Sequence, residues 1–140
     1  MAFLIAFGTL KRGFALHERG LSTAHYLGPC RTVEPYPVVI AGPWFAPMMF
    51  DHPGTGLRIY GELYRVDRVT IGRLDGLESV EKPGNFRRLV AVQPLGSTAT
   101  CRAWCYMKSP DLAQPLHSGY IEDYQDDRFI PPEIREPHRA

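Results

Sequence analysis

The chain has 140 residues, with 16 lysines and arginines against 15 aspartates and glutamates. That length suits one domain with a working core, and the near-zero net charge argues against nucleic acid or an anionic membrane as the main partner. No apolar run reaches the ~20 residues of a membrane-spanning helix, and the N-terminus lacks the basic start and cleavage site of a signal peptide, so a cytoplasmic protein is expected.

A first strand is expected near residues 3–7, followed by the run Phe7-Gly8-Thr9-Leu10-Lys11-Arg12-Gly13. A glycine-bracketed loop after a strand is either a plain turn or a place where backbone N–H groups converge on anionic oxygens. Residues 14–21 read as a short, weakly periodic helix with Phe14, Leu16 and Leu21 apolar. Strands follow near residues 25–33, 38–41 and 48–50, the first two separated by the cluster Glu34-Pro35-Tyr36-Pro37. Residues 57–66 alternate. Leu57, Ile59, Gly61 and Leu63 share one face, and Arg58, Tyr60, Glu62 and Tyr64 the other.

A helix is expected over residues 67–77, with Asp67 as N-cap, Val69, Ile71 and Leu74 apolar, and Gly76 as the stop. Two more strands are expected near residues 86–94 and 100–108. Many short strands with few helices indicate an α+β domain whose sheet closes or nearly closes. The domain is placed at residues 1–125, and residues 126–140 read as a charged, proline-containing tail that runs over the surface or frays.

Cys30, Cys101 and Cys105 cannot all pair with one another. Four positions of a strand span roughly 13 Å, beyond the ~7 Å limit for bridged Cα atoms, so Cys101 and Cys105 do not pair if their strand forms. No zinc-type spacing is present, and no metal site is expected. The three cysteines read as buried apolar residues of a reducing compartment.

The candidate for chemistry is Glu78, just past a helix end between Leu77 and Ser79 and close to Val80. A carboxylate at such a joint is either a solvated loop residue or a partly desolvated base on a cavity wall. Glu62 is either a second pocket carboxylate or an outer-face strand residue. Tyr64, Trp44 and Phe45 are pocket walls or core aromatics, and Tyr120 and Tyr124 either cover a pocket mouth or pack. Of Arg87 and Arg88, neighbours on a strand, at most one faces inward. His17 reads as a helix-surface residue and His117 as a loop residue.

Together these segments resemble the gamma-glutamyl cyclotransferase-like (AIG2-like) superfamily. Four stretches carry the resemblance: Phe7 to Gly13, Glu34 to Gly42, Gly61 to Asp67, and Leu74-Asp75-Gly76-Leu77-Glu78-Ser79. They span about residues 3 to 94 and look most like the gamma-glutamylaminecyclotransferase branch. The resemblance implies a small mixed, largely antiparallel β-barrel flanked by short helices. It also implies a cofactor-free reaction on a small gamma-glutamyl substrate, whose own α-amine attacks its γ-carbonyl and releases 5-oxoproline. Glu78 would be the general acid and base. Phe7, Gly8, Thr9, Leu10 and Phe86 would hold the substrate. The chain departs from the family where Phe7 and Phe86 stand in place of tyrosines. Rival expectations are a cyclotransferase for gamma-glutamyl amino acids or for a protected biosynthetic intermediate, and a binding module without turnover.

Overall fold

A computed structural model describes residues 1–135. The apolar opening forms β1 (Ala2–Ala6), in which Leu4, Ile5 and Ala6 are all buried. A strand buried on both faces needs cover on both sides. It pairs antiparallel with β5 (Leu57–Val66) and parallel with β7 (Cys101–Lys108). With β2 (His25–Tyr36) and β6 (Asn85–Pro94) these strands close a barrel in the order β1-β5-β2-β6-β7. The remaining strands, β3 (Val38–Ala41) and β4 (Ala46–Met49), form a separate two-stranded sheet. Two short helices, α1 (His17–Leu21) and α2 (Arg68–Leu77), complete the expected α+β class.

The alternation of β5 divides its side chains between two cores. Ile59 and Leu63 point into the barrel with Ile5, Val90, Val92 and Met107. Tyr64 and Val66 join Leu4, Leu10, Leu21 and Leu74 in a second core beneath the helices. Leu57, expected on the inner face, is 40% exposed because it lies at the open end of the strand, opposite Tyr36. Cys101 and Cys105 both lie on β7, and all three cysteines are free thiols. Cys30 and Cys105 are fully buried, and burial pushes the Cys30 thiol up to about 12. Cys101 is only partly buried.

Two boundaries differ from the sequence expectation by three residues, and β4 begins two residues earlier than expected. β2 runs on to Tyr36 through Pro35, because its register with β5 shifts between Arg31 and Pro35. A bulge spares the proline a ladder hydrogen bond it cannot donate. The fully buried Thr32 bridges the gap: its hydroxyl accepts from the Ile59 N–H at 2.8 Å and donates to the Glu34 carbonyl at 2.7 Å. Helix α1 is shorter than expected. It begins only at His17, since Gly13 has φ +84° and the intervening residues form turns. Among the described residues no helix is long and apolar enough to cross a membrane.

Thr32→Val keeps the shape and removes both bonds, leaving the buried Ile59 N–H without a partner. A loss of about 1–3 kcal/mol is expected, read as a lower urea midpoint with an unchanged slope. An unchanged midpoint would contradict the assigned role.

Candidate active site

The loop after β1 is fixed by its own carbonyls. Gly8 O accepts from the Lys11 N–H at 3.0 Å, and Thr9 O from the Leu16 N–H at 2.9 Å. Leu10 O is 3.0 Å from the His17 ring Nδ1. The N–H groups of the same three residues have no protein partner among the described residues, although Gly8, Thr9 and Leu10 are buried. Buried amides are rarely left unpaired, so three in sequence on a cavity wall mark a place for acceptor oxygens. A Cβ on Gly8 would come within 2.6 Å of Pro47 Cγ, so only glycine lets Pro47 close over the loop.

The charged residues of this loop serve as anchors. Buried Lys11 donates to Asp123 Oδ1 at 3.0 Å and to the Tyr124 carbonyl at 2.7 Å. The Arg12 N–H donates to Glu62 Oε1 at 2.9 Å, and Arg12 lies over the Tyr26 ring. Glu62 also accepts from the Tyr64 hydroxyl at 2.9 Å. It is therefore an outer-face residue that braces the loop, and Tyr64 is a core aromatic.

Glu78 is set by the end of α2. The Asp67 carboxylate caps the helix start by accepting from the Thr70 N–H at 2.8 Å. Gly76 does not stop the helix, which continues to Leu77. The chain turns at Ser79, a non-glycine residue at φ +54°. Val80 N–H donates to Asp75 O at 3.0 Å and Ser79 N–H to Gly76 O at 3.1 Å, the paired bonds of a Schellman ending. The turn is then fastened to the barrel. Asp75 Oδ1 accepts from Arg87 Nε at 3.0 Å and from the Tyr106 hydroxyl at 2.8 Å. Asn85 Nδ2 donates to the Ser79 carbonyl at 3.1 Å, and Lys108 Nζ donates to Asn85 Oδ1 at 2.8 Å.

These two constructions meet. A cavity of about 30 Å³ is walled by the loop residues Phe7, Gly8, Thr9 and Leu10 together with Glu78 and Lys108. A larger one, about 360 Å³, shares Thr9, Pro47, Glu78 and Lys108 with it and extends past Trp44, Met48 and Phe129. Glu78 thus stands where the cavities join, and among the described residues nothing donates to its carboxylate. Burial pushes the Glu78 carboxyl above its usual value, and the Lys108 ammonium draws it partly back. Burial in turn lowers Lys108, with Glu78 opposing. A carboxylate whose charged form burial disfavours is a stronger base than a fully solvated one.

Phe86 lines neither cavity. It packs against the barrel core opposite Met107, one strand away from the cavity wall. Arg87 and Arg88 also point elsewhere, to Asp75 and Asp51. Tyr124 packs on Phe14 and Tyr120 is exposed, and neither lines a cavity. Trp44 does line the larger cavity, whereas Phe45 stacks on His117. Sequence reasoning missed Lys108, Asn85, Tyr106 and Pro47. Lys108 and Tyr106 lie on one face of β7, and that alternation was the only available signal. It also missed the C-terminal segment: Phe129, Pro132 and Arg135 wall the larger cavity, and Ile130 N–H donates to the Trp44 carbonyl at 3.0 Å. The part of the expected tail over residues 136–140 lies outside the described residues.

The fold is that of the AIG2-like barrel proteins. A crystal structure of an AIG2-like protein from Mus musculus matches with a TM-score of 0.82 and 31% identity, covering 96% of this chain and 99% of that one. The family model described as gamma-glutamyl cyclotransferase, AIG2-like, matches residues 4–126, and the chain belongs to this enzyme family. Among curated relatives, the gamma-glutamylaminecyclotransferase of Homo sapiens is 39% identical, covering 86% of this chain and 90% of the relative. Gamma-glutamylaminecyclotransferase B of Danio rerio is 36% identical, covering 86% of this chain and 68% of the relative.

The direction of the Glu78 shift has a consequence for stability. The native state holds this proton more tightly than the unfolded chain does. Stability from this group therefore falls as pH rises from the unfolded value, about 4.3, through the raised native value. Glu78→Gln lacks that loss. In urea unfolding, the variant should gain on the parent between pH 4 and pH 7. An equal difference at both pH values would contradict the burial of the charge.

Proposed function

We propose that the protein cleaves a small gamma-glutamyl amide by intramolecular cyclisation, releasing 5-oxoproline and a free amine. One observation carries this reading: three backbone amides that are unpaired among the described residues, and one desolvated carboxylate, line the same small cavity. The names of the relatives favour a leaving group bound through an ordinary amine, rather than through the α-amine of an amino acid.

The glutamyl head lies where the two cavities meet, with its oxygens on the N–H groups of Gly8, Thr9 and Leu10. Ionised Glu78 takes a proton from the substrate ammonium. The freed α-amine attacks the γ-carbonyl carbon, forming the ring C–N bond. Glu78 then passes its proton to the departing nitrogen as the original amide bond breaks. It takes up the second proton that the ring nitrogen sheds on becoming an amide, and gives it to the released amine, which leaves as an ammonium. Atoms balance without water, a metal or an enzyme nucleophile. Because the attack is internal, the protein's task is to fold the substrate and move one proton at a time. Positioning of this kind is worth ~7–11 kcal/mol, and a placed acid-base contributes a further factor of roughly 10²–10⁴. Phe7 removes the hydroxyl that a tyrosine would offer but leaves the backbone donors intact. Lys108 keeps the ionised form of Glu78 accessible despite burial.

Glu78→Gln should lower 5-oxoproline release by about 10²–10⁴-fold, measured chromatographically with the substrate in excess. Release equal to that of the parent contradicts the base assignment. If the parent releases none from any gamma-glutamyl amide, a non-catalytic binding module is the better reading.

Lys108→Met removes the nearby cation, so the acid limb of the kcat/KM profile should move to higher pH. A limb that stays in place, or moves down, contradicts the electrostatic coupling.

A further inference from the structure

The larger cavity has an unbalanced charge. Its lining includes three cations, Lys82, Lys108 and Arg135, and a single acid, Glu78, which the reaction itself uses. The rest of its lining is largely apolar and includes Trp44, Met48 and Phe129. Arg135 is held in place: its Nε donates to the Ile130 carbonyl at 3.0 Å, and its guanidinium lies 4.0 Å over the Trp44 ring. The same segment is tethered to α1 by the Arg19–Glu133 ion pair at 3.0 Å. Lys82 is exposed on the rim, with its N–H donating to the Ser79 carbonyl at 2.9 Å in the turn that follows Glu78.

We propose that this cavity is the leaving-group site and that it selects amines carrying a carboxylate at their far end, read by Arg135 and Lys82. The inference rests on the cyclotransferase reading above. The departing nitrogen must lie at Glu78, so the remainder of the amine runs along the apolar lining toward the cations. A guanidinium held flat by an aromatic ring presents its remaining donors as a fork that suits a carboxylate. A second ammonium at that end, as on a diamine, meets like charges and is rejected. Lys108 is engaged beside Glu78, so discrimination at the far end falls to the other two cations.

Three matched gamma-glutamyl amides test this: those of 5-aminopentanoate, pentylamine and 1,5-diaminopentane. The expected order of kcat/KM is acid, then neutral, then cationic, with about tenfold or more between the extremes. Raising the salt concentration should narrow that span, since the rim is open to solvent. Arg135→Gln should reduce the acid-over-neutral preference about tenfold, chiefly through KM, and Arg135→Lys should restore part of it. Lys82→Gln, on an exposed side chain, should reduce the same preference without depending on the fold of the C-terminal segment. Equal kcat/KM for all three amides, or a preference for the cationic one, overturns this inference alone. So does an Arg135→Gln variant that, with Lys82→Gln, slows all three by one factor. Release of 5-oxoproline from none of them overturns the cyclotransferase reading as well.

Discussion

The site depends on how helix α2 ends. Its last turn closes with two backbone bonds to Asp75 and Gly76 carbonyls and passes through Ser79 in a left-handed conformation that glycine usually supplies. A non-glycine residue there costs of order 1 kcal/mol. The turn is kept by external fastening: Asp75 to Arg87 and Tyr106 on the barrel, and the Ser79 carbonyl to Asn85, itself held by Lys108. Glu78 lies between these two fastenings, next to Ser79. Its carboxylate is carried by a braced turn, which fits a group that must face a cavity without a hydrogen bond to direct it.

The opposite wall follows a complementary logic. The loop spends its carbonyls and charged side chains on structure, and among the described residues the N–H groups of Gly8, Thr9 and Leu10 find no partner. Lys11 and Arg12 look in sequence like the groups that would bind an anion, yet Lys11 is committed to Asp123 and Tyr124, and Arg12 to Tyr26 and Glu62. In the proposed reaction, binding falls to backbone dipoles, which add no net charge near Glu78. A lysine free in the smaller cavity would lower the Glu78 pKa further and weaken it as a base. Lys108 stands near enough to moderate that shift, and burial still dominates.

Much of the fold was legible from local pattern. The apolar alternation of residues 57–66 and the cap-plus-apolar spacing of residues 67–77 both correspond to observed elements. Closure or near-closure of the sheet was legible from the many short strands and few helices, and its largely antiparallel barrel form through the resemblance. The extension of β2 through Pro35 was hidden, because it depends on a bulge and on Thr32 reaching across to β5. At the site, the loop and Glu78 were legible as motifs, but the turn at Ser79 was not, since serine seldom adopts that conformation. Phe86 could not be placed because its face on β6 is set by pairing with β7. Asn85, Lys108 and Arg135 were invisible for a simpler reason: only closure of the barrel and the path of the C-terminal segment bring them to Glu78.

A crystal structure with 5-oxoproline bound tests the central claim most directly. Product oxygens should accept from the N–H groups of the Gly8–Leu10 stretch, with a Glu78 carboxyl oxygen at hydrogen-bonding distance, about 3 Å, from the product ring nitrogen. Product bound away from that loop, or Glu78 farther than one intervening water from the ring nitrogen, would contradict the account.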